Sequence, residues 1–177
     1  MGKYYKQNAF KASTESGLAE FLFAPVSEFS AIQVAPSTGT SAGETAEITT
    51  AHTFTASNDG FVKAKTDNRM HSIDFKDAGE LGSKVSTSTA KVRFKFGSEA
   101  EMLEFVREAK NDEFITLHKT AKCGDGMYMQ LGCACQGATI SFDGKTGTLK
   151  DGSKYIEGTV EYFGEPVMYS ASVDLAA

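Results

Sequence analysis

The sequence has no tryptophan, only three each of proline, histidine and cysteine, and no long apolar run. Each scarcity excludes something. An odd number of cysteines argues against a disulfide framework, and the polar, aromatic start Met1–Phe10 lacks the apolar core of a signal peptide. Spanning a bilayer as a helix takes about 20 apolar residues. The most apolar early stretch, Leu18–Val26, is short and interrupted by Glu20 and Pro25. The chain is therefore expected to be made in the cytoplasm and to have no membrane partner. Cationic residues are also outnumbered, 18 Lys and Arg against 23 Asp and Glu, for a net charge of −5. An acidic protein gains no counterion-release free energy from a phosphate backbone, so general nucleic-acid binding is disfavoured.

What is abundant points to strands. Glycine occurs 17 times, and serine and threonine together 33 times, many at alternate positions. Threonine favours pleated, half-buried backbone, and glycine supplies the turns between strands. A chain of 177 residues fits one domain and can bury enough surface to fold without staples.

The most regular segment is Lys84–Phe96. Ala90, Val92, Phe94 and Phe96 fall on one face, and Lys91, Arg93 and Lys95 on the other. Such a basic stripe is expected to be solvated or to meet carboxylates on a neighbouring strand. The helix Ser98–Lys110 follows. Ser98 and Glu101 form a capping box, and Met102, Leu103, Phe105, Val106 and Ala109 recur at helical spacing, a core-packing face.

Strands are also expected over Glu28–Val34, Glu44–Thr55, Phe61–Lys65, Met70–Lys76, Phe114–Lys119, Met127–Cys135 and Ala138–Phe142. In Phe114–Lys119, Phe114, Thr116 and His118 oppose Ile115 and Leu117. Turns are expected at Asn58–Gly60, Asp77–Gly82, Cys123–Gly126 and Asp143-Gly144, the last leading into Lys145–Lys150. Tyr155–Phe163 and Val167–Leu175, flanking Gly164-Glu165-Pro166, read as a closing hairpin. Ala35–Gly43 (APSTGTSAG) reads as a flexible surface loop, or an arm that pairs with another subunit. The sum is a mainly β chain: a β-sandwich or barrel of about ten strands with one flanking helix. It divides into an N-terminal arm, 1–27, and a single domain, 28–177.

The search for chemistry assigns no catalytic, cofactor-binding or metal residue. His52, His71 and His118 lie in strand-like segments without a nucleophile-elbow motif, and Gly144, Gly147 and Gly152 match no phosphate cradle. The sharpest cluster is His118, Cys123, Cys133 and Cys135. Thiolates with an imidazole suit zinc. However, Cys-x-Cys sets both side chains on one face of a strand, and free cysteine is among the most buried residue types. Cys133 and Cys135 are therefore expected in a sheet core beside Leu131.

The loop Ala35–Gly43, the long strand Lys84–Phe96, the helix Ser98–Lys110 and the closing pair Tyr155–Leu175 stand in an order that resembles the tail tube proteins of long-tailed bacteriophages. The resemblance covers most of the chain by element order and composition. It implies a non-enzymatic, self-assembling virion subunit without cofactors. It also implies stacked, commonly hexameric rings around a lumen that conducts DNA without sequence-specific binding, with other virion proteins as neighbours. A capsid auxiliary or decoration protein is the alternative within that class. A zinc-binding β module using His118, Cys123, Cys133 and Cys135 is the alternative outside it. Because Lys91, Arg93 and Lys95 would sit poorly in such a lumen, they are expected outward or at a contact between subunits.

Overall fold

The computed structural model describes residues 21–64, 66, 72–80, 82–96, 98–119, 127–145 and 155–176. The strands are β1 (Phe21–Pro25), β2 (Phe29–Ala31), β3 (Glu47–Ile48), β4 (Thr53–Phe54), β5 (Val62–Ala64), β6 (Ser72–Ala78) and β7 (Val85–Lys95), then β8 (Phe114–Lys119), β9 (Tyr128–Leu131), β10 (Thr139–Lys145), β11 (Tyr155–Tyr162) and β12 (Val167–Tyr169), with helix α1 (Glu99–Ala109) between β7 and β8. One sheet has the order β3-β12-β9-β8-β1-β5, a second β10-β11-β7-β6, and β2 and β4 form a two-stranded ribbon. The chain is mainly β and sandwich-like, as its composition implies.

The six-stranded sheet is buried on both faces, and β1 shows why. Phe21 and Phe23 point into a core shared with the four-stranded sheet and α1. Leu22 and Ala24 point into a second core with Ile48, Phe61, Ile115, Leu117 and Tyr169. The β2–β4 ribbon contributes Phe29 and Phe54, stacked at 4.4 Å, to the edge of that second core. β8 alternates as expected, with Phe114 in the first core and Ile115 and Leu117 in the second. Bridges at Thr66–Phe94 and Phe114–Ala138 join the two large sheets at two corners.

In β7, Ala90, Val92 and Phe94 are buried while Lys91 is exposed. α1 starts where the capping box puts it, with Ser98 Oγ accepting from the Glu101 N–H at 3.2 Å. It buries Met102, Phe105 and Ala109. Leu103, expected on that face, is instead 63% exposed. Phe105 meets Phe23, Phe94, Phe96 and Phe142 with ring centroids 5.2–5.8 Å apart.

Several expectations are corrected. Phe21–Pro25, the end of the stretch read as an arm, is an inner strand paired with β8 and β5; residues 1–20 lie outside the described residues. A strand buried on both faces carries no polar–apolar alternation to announce it. Glu44–Thr55 is not one strand but a 3₁₀ turn at Glu44–Ala46 followed by β3 and β4, which belong to different sheets. Asp143-Gly144 is no turn: both residues lie inside β10, opposite Glu157 and Ile156. The expected strand Met127–Cys135 ends at Leu131, where Gly132 adopts φ +102° and redirects the chain. The closing hairpin does not form, because β11 pairs with β10 and β7 whereas β12 pairs with β3 and β9. Phe163–Pro166 thus carries the chain from one sheet to the other. The turn expected at Cys123–Gly126 lies outside the described residues.

Gly158 of β11 lies opposite Val92, and a Cβ there would approach Phe94 Cε2 to 2.6 Å. The Phe94 ring cannot retreat easily, since Phe21 and Phe105 flank it at 5.5 and 5.2 Å. Gly158→Ala is therefore expected to destabilise the fold by about 1–3 kcal/mol through overpacking. Equilibrium denaturation checks this; an unchanged midpoint would contradict the packing described.

Candidate functional site

The outer face of the four-stranded sheet is wet. Its side chains come from the odd positions of β7, β10 and β11 and the even positions of β6, the reverse of the core-facing set. The register sets them in rows. Arg93 lies opposite Glu157, which lies opposite Asp143; Lys91 lies opposite Thr159, and Thr159 opposite Ser141; Thr89 lies between Asp74 and Glu161. The basic stripe thus lies on the solvent-facing side of the sheet, and of its three cations Arg93 lies directly opposite a carboxylate. Arg93 Nη2 meets Glu157 Oε1 at 2.7 Å. The pair is half-exposed, so its contribution to stability is about 1 kcal/mol or less.

β6 and β10 are the terminal strands of this sheet. All its pairings are antiparallel, so in a sheet of four the two edge strands run in opposite directions. On the β6–β7 pair, Phe75 and Val85 are 64% and 57% exposed. Serine hydroxyls make two hydrogen bonds there. Ser88 Oγ donates to the Gly164 carbonyl at 2.7 Å, and Ser86 Oγ donates to Asp77 Oδ1 at 2.5 Å.

The loop Ala35–Gly43 is exposed, as expected for a surface segment, apart from partial cover at Ala35. Its far end is organised by one carboxylate. Glu44 Oε2 accepts from the N–H of Thr40 at 2.6 Å and of Ser41 at 3.1 Å, and Gly43 turns at φ +94°. These backbone donors hold the Glu44 carboxyl below its ordinary range. Its near end is held by His52, which is 2% exposed. His52 Nδ1 accepts from the Gln33 N–H at 3.0 Å, and Nε2 lies 2.9 Å from Gln130 Oε1. The His52 backbone N–H donates to the Tyr169 hydroxyl at 3.3 Å, which donates to the Ser172 carbonyl at 2.9 Å. Neither glutamine stood out in the sequence, because the partners lie 19 and 78 residues from His52.

Of the remaining sequence-derived candidates, His71 and Cys123 lie outside the described residues. His118 Nε2 contacts Thr116 Oγ1 at 3.1 Å, but both side chains are sealed in the core, at 4% and 0% exposure, where no substrate can reach a hydroxyl–imidazole pair. Cys133 is half-buried and Cys135 exposed, so neither fills the sheet core beside Leu131; the strand that would have turned them inward ends too early. Burial pushes the Tyr162 phenol well above its ordinary value, and a side-chain hydrogen bond with Cys133 adds to the rise. His118 pairs with Met129, whereas Cys133 lies beyond Leu131, on the other side of the Thr116–Leu131 row. A zinc ion requires its ligands within about 2.3 Å. This register does not bring His118 and Cys133 together, and among the described residues no group of three or more His, Cys, Asp or Glu could hold a metal ion.

Because His118 and Cys133 do not meet, Cys133→Ser should leave the zinc content of the purified protein unchanged and its melting temperature within about 2 °C of wild type. Stoichiometric zinc that is lost on Cys133→Ser would overturn this. No family model matches the chain, and no curated protein matches it.

Proposed function

We propose that this chain is a structural, self-assembling virion subunit, a tail tube protein of a long-tailed phage whose stacked rings surround a DNA-conducting lumen. The observation that carries the reading is the four-stranded sheet with terminal strands β6 and β10 running in opposite directions. An exposed edge presents unpaired N–H and C=O groups and is a template for another strand. When subunits are related by rotation about a ring axis, β6 of one meets β10 of the next antiparallel. The pairing is heterologous, continues the alternation already present, and closes into a barrel with no free edge.

The wet face of such a barrel can line the lumen. On that face Glu157 pairs with Arg93, and Asp143, Asp74 and Glu161 lie in the same or neighbouring rows, so the basic stripe that argued against a lumen position is partly compensated. Carboxylates beside the stripe weaken its hold on phosphates, which suits DNA that passes without sequence-specific binding. Phe75, in the middle of edge strand β6, and Val85, at the start of β7, are exposed, and a neighbouring subunit or virion protein can cover them. No catalytic constellation or cofactor enters this reading. The location it implies is the virion.

Negative-stain microscopy of concentrated protein is expected to show rings or tubes, and a strictly monomeric species would count against assembly. Edge variants test the mode. Adjacent amides on an edge strand alternate between pointing at β7 and pointing away, so Asp74→Pro and Phe75→Pro sample both cases. The variant that removes the outward donor should keep its circular dichroism melt and form no rings. If both variants are folded and assemble like wild type, edge pairing through β6 is excluded.

A further inference from the structure

The hydrogen bonds around His52 fix its chemistry. Nδ1 is occupied as an acceptor by the Gln33 N–H, so the ring proton sits on Nε2 and is donated to Gln130 Oε1. Gln130 cannot turn its amide around freely, because its Nε2 donates to the Gly132 carbonyl at 3.1 Å. The neutral imidazole therefore satisfies both neighbours. A protonated imidazole is a donor at both nitrogens. Its new Nδ1–H would point at the Gln33 N–H, two donors facing each other across 3.0 Å. It would do so inside a shell of Phe29, Phe61 and Tyr169, at ring distances of 5.6, 6.1 and 4.8 Å.

We infer that His52 is an acid-sensitive latch: neutral, it holds the strap around Gln33 on the second core, and protonated, it releases that strap and with it the root of the loop Ala35–Gly43. Ile32 and Ala35, on either side of Gln33, are only partly buried against that core, so the strap has little else to keep it in place. The latch is a property of the single chain and does not depend on the proposed assembly.

The side chains that face the ring are Gln130 from β9, Tyr169 from β12, Phe29 from β2 and Phe61. Only the tyrosine titrates, and burial pushes its phenol above its ordinary value, so it stays neutral in mild acid. Burial likewise pulls His52 below its ordinary value of 6.5, opposed by the Gln130 hydrogen bond. The latched state thus binds fewer protons than the released state. Latching is complete above about pH 6.5 and weakens as the pH falls below it, by up to about tenfold per pH unit.

Hydrogen exchange on the full chain at pH 7.5 and 5.5, corrected for intrinsic rates, tests the latch. Protection over residues 32–35, the Gln33 amide above all, should fall up to about tenfold at the lower pH while β8 keeps its protection. His52→Gln, which cannot gain the proton, should show no such pH dependence. Three results overturn the latch: unchanged protection in the wild type, an equal fall in His52→Gln, or a fall that β8 shares. Should His52→Gln fail to fold, ¹⁵N resonances of wild-type His52 decide. An unprotonated Nδ1 at pH 7.5 that titrates together with the Gln33 amide supports the latch. A proton on Nδ1 at that pH, or a titration that leaves the Gln33 amide unmoved, excludes it.

Discussion

The Phe94 ring over Gly158 is the contact on which the arrangement of the two large sheets depends. It is flanked by Phe21 from β1 and Phe105 from α1, with Phe142 from β10 at 6.1 Å. The ring fits only because β11 has no Cβ beneath it. One residue therefore touches both sheets and the helix. Aromatic rings of this size contribute much of a core's burial, and their edge-to-face geometry favours particular separations. With that spacing set, β7 and β11 hold their register, and α1 has a seat for Phe105.

Two consequences lead toward function. Because every apolar side chain of β7 that faces inward is used in this core, the opposite face of the four-stranded sheet is free to be polar, and it is. Because the bridges between the two large sheets, among the described residues, lie at Thr66–Phe94 and Phe114–Ala138, the described lengths of β6 and β10 are not consumed by closure of the fold itself. A sheet that is wet on one face and unfinished at its edges suits repetition. The second core has a different character. It has fewer buried side chains, is edged by a two-stranded ribbon, and is stitched by the polar groups of His52, Gln33, Gln130 and Tyr169. Buried networks of this kind rigidify when fully satisfied and fail together when one member changes protonation.

Legibility in the sequence followed the strength of local signals. The helix and its cap were readable because Ser98, Glu101 and the Met102–Phe105–Ala109 spacing all agree. β7 and β8 were readable from alternation, β8 with the bounds observed. Local signals failed where partners are distant or where both faces are buried. Phe21–Pro25 hides because it lacks a polar face. Tyr155–Tyr162 and Val167–Tyr169 look like a hairpin because they are neighbours in sequence, whereas the loop between them changes sheets. Cys133 and Cys135 mimic strand alternation, and the positive φ at Gly132 that ends the strand leaves no sequence mark distinct from any other glycine. For the sites, the basic stripe and its cross-strand carboxylates were anticipated as a type. The two-glutamine clamp on His52 was not, since only the fold brings it together.

The central claim is that subunits join through β6 and β10, and the most direct measurement is backbone hydrogen exchange in assembled against dispersed protein. Edge pairing predicts that outward amides of Ser72–Ala78 and Thr139–Lys145 gain protection on assembly, while the inner strands β7 and β11 change little. Assembled particles in which both edge strands exchange as fast as in the dispersed chain would contradict it.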